Sequence, residues 1–128
     1  MAKILIVEDN PDNMKLFTAV LSIRGHQVVG LPGGEQLLPT MRSESPHVVL
    51  LDIQLPGEDG FQLLEKLVAQ FGSGLPPVVA LTAHAMSGDR ERCLAAGMDD
   101  HLSKPVGRKG LEQAIAQNTG PAVEFSNR

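Results

Sequence analysis

The fold class this sequence predicts is a doubly wound α/β protein, a five-stranded parallel sheet with helices on both faces. Three observations carry that prediction. Short apolar, β-branched runs alternate five times with stretches of helical spacing, the signature of successive β-α units. The clearest run, His47-Val48-Val49-Leu50-Leu51, is apolar throughout, as strands covered on both faces of a parallel sheet are. Glycine, proline and small polar residues fall where one pattern gives way to the next. Parallel strands joined this way imply right-handed crossovers and a three-layer α/β/α sandwich.

The elements follow in order. Lys3–Val7 is the first strand. Asn10-Pro11 opens a helix, with Asn as N-cap and Pro at the first helical position. Met14, Phe17, Val20 and Leu21 recur at helical spacing until Gly25 stops the run. Gln27–Leu31 reads as a second strand and Gly33-Gly34 as a turn. Glu35–Arg42 is a weaker helix, disturbed by Pro39. The apolar run at His47–Leu51 ends in Asp52, and the residues from Leu55 to Gly60 form a loop. Phe61–Phe71 is a helix with Phe61, Leu64, Leu67 and Val68 on one side. Pro77–Leu81 is a fourth strand, ending at Thr82. Ser87 caps a helix through Ala96, with Gly97 as its left-handed stop. Asp100–Ser103 is a short fifth strand, Lys104-Pro105 a turn, and Leu111–Gln117 a last helix. Residues 1–117 therefore make one domain. Residues 118–128, with Gly120, Pro121 and no period, read as a loosely ordered tail.

Composition narrows the function classes. At 128 residues the chain has the size of one domain, and about two thirds of its unfolded surface can be buried. A formal charge of −4 speaks against a nucleic-acid or anionic-membrane surface, which needs a basic patch. The single cysteine, Cys93, has no internal disulfide partner, which suits a reducing, cytoplasmic setting. The apolar run near the N-terminus is too short for a membrane span and is closed by Glu8 and Asp9.

In open parallel sheets, ligands bind outside the carboxyl ends of the strands. Four of the five predicted strands end in polar or charged residues: Glu8-Asp9, Asp52, Thr82 and Lys104-Pro105. With the first and third strands adjacent, three carboxylates converge. Crowded carboxylates repel one another, and a hard divalent cation with oxygen ligands offsets that repulsion. Lys104 adds a positive charge at the same rim, and Thr82 a hydroxyl. A carboxylate nucleophile, Mg²⁺ or Mn²⁺, a hydroxyl and an ammonium together suit phosphoryl transfer, which depends on positioning and charge neutralisation.

At this point the sequence resembles the receiver domains of two-component response regulators. The matching stretches are Ile4-Leu5-Ile6-Val7-Glu8-Asp9-Asn10, Leu50-Leu51-Asp52-Ile53-Gln54-Leu55-Pro56-Gly57 with Asp59-Gly60, Ala80-Leu81-Thr82-Ala83, and Ser103-Lys104-Pro105. The resemblance covers about residues 3–117. Each motif is common by itself; their order and their place at strand ends make the match specific. The family's flavodoxin-like strand order, 2-1-3-4-5, is taken from known proteins of this build, receivers among them, rather than derived from these residues.

The resemblance implies roles residue by residue. Asp52 is the expected phosphoacceptor. Asp9 is the expected direct Mg²⁺ ligand, Glu8 one that acts through a metal-bound water, and the backbone carbonyl of Gln54 a further ligand. Thr82 is the expected switch hydroxyl and Lys104 its ion-pair partner, with a cis Lys104-Pro105 bond. Side chains two residues past Asp52 and Thr82, here Gln54 and His84, overhang the site and tune the lifetime of the phosphoryl group. The donor is a histidine kinase or a histidine phosphotransfer protein, and the output is a downstream protein target or a relay, with neither nucleic acid nor membrane engaged directly. The run Thr82-Ala83-His84-Ala85-Met86 resembles stand-alone receivers and those of hybrid kinases. One position departs from the pattern. Three residues before the lysine the family usually carries Tyr or Phe, and here His101 stands there, in a chain with no Tyr or Trp.

Other readings belong beside this one. The family resemblance also admits a phosphorylation-independent adaptor with the same fold, against which the intact set of Glu8, Asp9, Asp52, Thr82 and Lys104 argues. An aspartyl phosphatase would want a second acid two positions after its nucleophile, where Gln54 stands. A flavin carrier would want a hydroxyl-rich loop where Glu8-Asp9-Asn10 stands. The four histidines show no metal-ligand spacing, and Cys93 reads as a small packing residue.

Overall fold

The computed structural model describes residues 2–55, 59–82, 89–104 and 106–126, the side chains of 89, 90 and 119–126 excepted. Its elements run β1 (Lys3–Val7), α1 (Pro11–Ile23), β2 (Gln27–Leu31), α2 (Leu37–Glu44), β3 (Val48–Asp52), α3 (Gly60–Phe71), β4 (Val78–Thr82), α4 (Asp89–Ala95), β5 (Asp100–Ser103) and α5 (Arg108–Ser126). The strands form one sheet in the order β2-β1-β3-β4-β5, and every neighbouring pair is parallel. This is the doubly wound arrangement expected, with β1 and β3 side by side.

The two-residue period of the strands divides the core. Leu5, Val7, Val49, Leu51, Val78 and Ala80 face α2, α3 and Cys93 of α4. Ile4, Ile6, Val48, Leu50, Val79 and Leu81 face Phe17, Val20 and Leu21 of α1 and Leu111, Ala114 and Ile115 of α5. Because consecutive side chains point to opposite faces, an unbroken apolar run is what a sheet covered twice requires. All residues of β3 and β4 are buried, whereas β2 and β5, at the edges, are half exposed.

Helix signals act locally as expected. The Asn10 side chain accepts from the N–H groups of Asp12 and Asn13, with Pro11 at the first helical position. Gly25 and Gly97 take positive φ, 86° and 105°, just past α1 and α4. Several boundaries differ from expectation, and those of three helices do so for identifiable reasons. α2 begins at Leu37 rather than Glu35. A start at Glu35 would put Pro39 where a helical N–H is required; starting at Leu37 leaves it in the first turn, where none is. α3 begins at Gly60, not Phe61, because Asp59 and Gln62 form a reciprocal capping box. α5 starts at Arg108 and runs to Ser126, well past Gln117. It passes through Gly120 and Pro121, residues that disfavour a helix interior, which is why the sequence pattern stopped short. The expected cap at Ser87 lies outside the described residues.

Candidate functional site

Each strand delivers its terminal residues to the same edge by register. Val7 pairs with Leu51 and Asp52 with Leu81, while Thr82 pairs with Ser103. Glu8, Asp52, Thr82 and Lys104 therefore follow from four adjacent strands. The backbone beyond the strands stays pinned: the Ile53 N–H donates to Leu81 O at 3.0 Å and the Lys104 N–H to Thr82 O at 2.6 Å. Gly60 allows α3 to abut this edge. A Cβ there would sit 2.5 Å from the Ile53 Cα and 2.8 Å from the Asp52 carbonyl oxygen, so no larger residue fits without displacing the segment that carries Asp52.

Three carboxylates meet here. Glu8, Asp9 and Asp52 each offer an oxygen within 4.8 Å of the others. Two of them are buried, Glu8 at 1% exposure and Asp52 at 0%, while Asp9 is exposed at the mouth. The Lys104 ammonium lies 2.8 Å from Asp52 Oδ2 and 2.8 Å from Glu8 Oε1. With Asp52 it forms a directed hydrogen bond. It meets Glu8 Oε1 at the same distance, so one ammonium serves both buried carboxylates. The second oxygens are held by main chain: the Gln54 N–H donates to Asp52 Oδ1 at 2.8 Å and the Asn10 N–H to Glu8 Oε2 at 3.1 Å.

The electrostatics follow from burial. Removal from water pushes the Glu8 carboxyl above its ordinary value; Lys104 and Asn10 pull it back only in part, and the Asp52 charge adds to the rise. Burial alone would lower Lys104, but the hydrogen bond to Asp52 and the contact with Glu8 outweigh it, and the ammonium stands above its ordinary value. Lys104 is thus a positive charge in contact with two of the three clustered carboxylates. One ammonium cannot neutralise three, and the donors that remain are all hard oxygen atoms. Three carboxylates whose oxygens lie within 4.8 Å of one another, one of them exposed, fit an oxygen-seeking divalent cation.

The sequence-predicted residues fare differently. Glu8, Asp9, Asp52 and Lys104 come together. Thr82 is fully buried at the tip of β4, next to the strand bearing Asp52. Gln54 keeps its main-chain N–H on Asp52 and is exposed. His101 is half-buried on β5, paired with Ala80; its N–H donates to Asp100 Oδ1, and its Nε2 is buried without a hydrogen bond. His84 and Pro105 lie outside the described residues. Two residues at the site were read from sequence only as local punctuation. Asn10 was seen as a cap, not as the donor to Glu8. Gly60 was assigned to a loop; the Asp59-x-x-Gln62 capping-box spacing was the signal that could have placed it at a helix start.

Fold and site together define a doubly wound α/β protein with an acidic oxygen cluster and a buried lysine at its strand tips. Comparison with known proteins makes the class specific. The model of the response regulator receiver domain matches residues 4–116. Protein PilH of Pseudomonas aeruginosa is 37% identical over 115 residues, covering 90% of this chain and 95% of that protein. The sensor protein GacS of Pseudomonas syringae pv. syringae is 38% identical over 124 residues, 94% of this chain, although the chain spans only 14% of GacS. Among solved structures, the receiver domain of the sensor histidine kinase PA1611 from Pseudomonas aeruginosa PAO1, which holds a magnesium ion in its active-site cleft, superposes with a TM-score of 0.83 at 37% identity, covering 93% of this chain and 98% of that one. The chain belongs to the response regulator receiver family of two-component signalling. Receivers accept phosphoryl groups and bind Mg²⁺ at an acidic site of this kind. Among the described residues no helix is long and apolar enough to cross a membrane.

Proposed function

We propose that this protein is a phosphorylation-dependent switch in which Asp52 accepts a phosphoryl group from a phosphohistidine of a kinase or phosphotransfer protein and signals through protein contacts or onward relay. The observation that carries this reading is Asp52 itself: a fully buried carboxylate held by Lys104 and the Gln54 N–H, with two further carboxylates within 4.8 Å.

In the step proposed, an Asp52 carboxylate oxygen attacks the phosphorus. The phosphorus–nitrogen bond breaks, its electron pair stays on the donor imidazole, and an acyl phosphate forms. The Lys104 ammonium lies 2.8 Å from the reacting carboxylate. Main-chain and lysine contacts fix the carboxylate before the donor arrives, so little reorganisation is needed. Lys104 then faces the new phosphoryl oxygens, and the Thr82 hydroxyl at the neighbouring strand tip supplies a donor to them. Glu8, Asp9, Asp52 and the Gln54 carbonyl would hold Mg²⁺. When bound, it supplies neutralisation of charge on the transferring group. The protein contributes to both gain and loss of its own phosphoryl group by positioning, without being a turnover enzyme. The phosphoryl contacts of Thr82 and Lys104 are the differential interaction that shifts a two-state equilibrium.

The test is incubation with a small-molecule acyl phosphate or phosphoramidate, with and without Mg²⁺, followed by intact-mass measurement. The expected result is a Mg²⁺-dependent gain of one phosphoryl group on Asp52. No gain with Mg²⁺ present would leave the phosphorylation-independent adaptor as the better account.

A further inference from the structure

Asn10 is bonded through every polar group of its main chain and through its side-chain oxygen. Its N–H donates to Glu8 Oε2 at 3.1 Å. Its Oδ1 accepts from Asp12 N at 2.9 Å and from Asn13 N at 3.2 Å. Its carbonyl accepts from Met14 N at 3.0 Å. On the other side of Asp9, the Glu8 N–H donates to Leu31 O at 3.0 Å. Asp9 is exposed, so packing does not place its side chain. Its main chain is held instead between a strand anchor at Glu8 and a helix anchor at Asn10.

We propose that Asn10 is a positioning residue for the divalent-cation site: by capping α1 it ties the Glu8-Asp9 pair to a rigid helix and holds both carboxylates for the ion. The inference rests on the metal reading given above and adds to it a residue that is not itself a ligand. Groups of this kind act on metal affinity by orienting the ligands. The lever is the side chain. Without Oδ1 on Asp12 and Asn13, the first turn of α1 frays. The Asn10 N–H then leaves Glu8 Oε2, and the Asp9 main chain loses one of its two anchors.

The experiment is Mg²⁺ titration of the intact chain by amide NMR, on the unchanged protein and on three variants. Asn10→Ala removes the cap and should weaken Mg²⁺ binding about tenfold, with faster exchange of the residue 10 amide in the metal-free protein. Asn10→Ser restores a capping oxygen and should recover most of the affinity. Ala19→Gly, at an exposed interior position of α1, gives up comparable stability without touching the cap, and should bind Mg²⁺ as the unchanged protein does. Unchanged Mg²⁺ affinity in Asn10→Ala, or equal weakening in Ala19→Gly, would overturn the proposal. An unchanged protein that takes up no Mg²⁺ at all would overturn the metal reading, and this inference with it.

Discussion

The two ends of the sheet are built on opposite terms. At the amino end, polar groups are matched. The N–H of Ala2 donates to His26 Nδ1 at 3.0 Å and that of Lys3 to His47 Nδ1 at 2.8 Å. Lys3 pairs with Glu44 at 3.2 Å, and the Val78 N–H donates to Asp99 Oδ2 at 2.8 Å. At the carboxyl end, three carboxylates cluster within 4.8 Å of one another, and one ammonium contacts two of them. Burying a charge is costly unless it is paired and hydrogen-bonded. One end is therefore matched by its own partners, whereas the other holds an excess of negative charge that, on the function proposed above, a cation would offset. The site draws on stability supplied by the core and by the opposite end.

Predictions that break or sharpen this contrast run from large effects to small. Asp52→Asn keeps the shape and removes the nucleophilic charge. It should abolish phosphoryl uptake from the small-molecule donor while the urea midpoint stays close to that of the unchanged protein. Persistent labelling at any level near normal would put the acceptor elsewhere. Lys104→Met strands two buried carboxylates. Removing one partner of a buried pair should cost about 3 kcal/mol at neutral pH. The deficit should shrink on acidification, because the Glu8 carboxyl, already raised by burial, takes up a proton and no longer needs the ammonium. Urea melts at pH 7 and pH 5 compare the two.

Asp9→Ala acts in two directions. Mg²⁺ affinity should fall, yet the metal-free protein should gain about 0.5 kcal/mol, since a like charge is removed from a partly solvated cluster. Clear destabilisation without Mg²⁺ would contradict the repulsion described for this end. The smallest effect belongs to the amino end. Burial, with the positive amino terminus adding to it, holds His26 below the ordinary imidazole value. Its Nδ1 also accepts the Ala2 N–H, and a proton there would set donor against donor. The unfolded chain thus binds this proton more readily than the folded one. The stability linked to His26 is full above the ordinary pKa of about 6.5 and declines as pH falls from there toward the lower folded-state value. A His26→Gln variant should show a flatter loss of stability between pH 7 and pH 5.5 in urea melts, with no change in Mg²⁺ affinity.

How much of this was readable beforehand differs residue by residue. The bounds of β1 and β2 follow from local apolar runs, and the start of α1 from Asn10-Pro11, because those signals act over a few residues. Asp59-x-x-Gln62 is an equally local signal, set within a stretch of loop composition. The pairing of Lys104 with residues 52 and 96 positions away was not local at all. Nor was the clip between α1 and α5, in which the Arg24 guanidinium bonds both Glu112 oxygens at 2.6 and 3.2 Å. His26 and His47 showed no ligand spacing and were set aside, yet each caps the start of β1 from an adjacent strand or the turn before it.

The sequence by itself determined that five β-α units would form and that acid, hydroxyl and lysine would terminate the strands, since hydrophobic period and turn chemistry are properties of neighbouring residues. Tertiary structure alone decided that these termini share one edge, that one Lys104 ammonium contacts both Asp52 and Glu8, and that Asp9 stays exposed while its two acidic companions are buried. Those outcomes depend on strand register and on which side chains lose water, and both are settled only when distant segments pack.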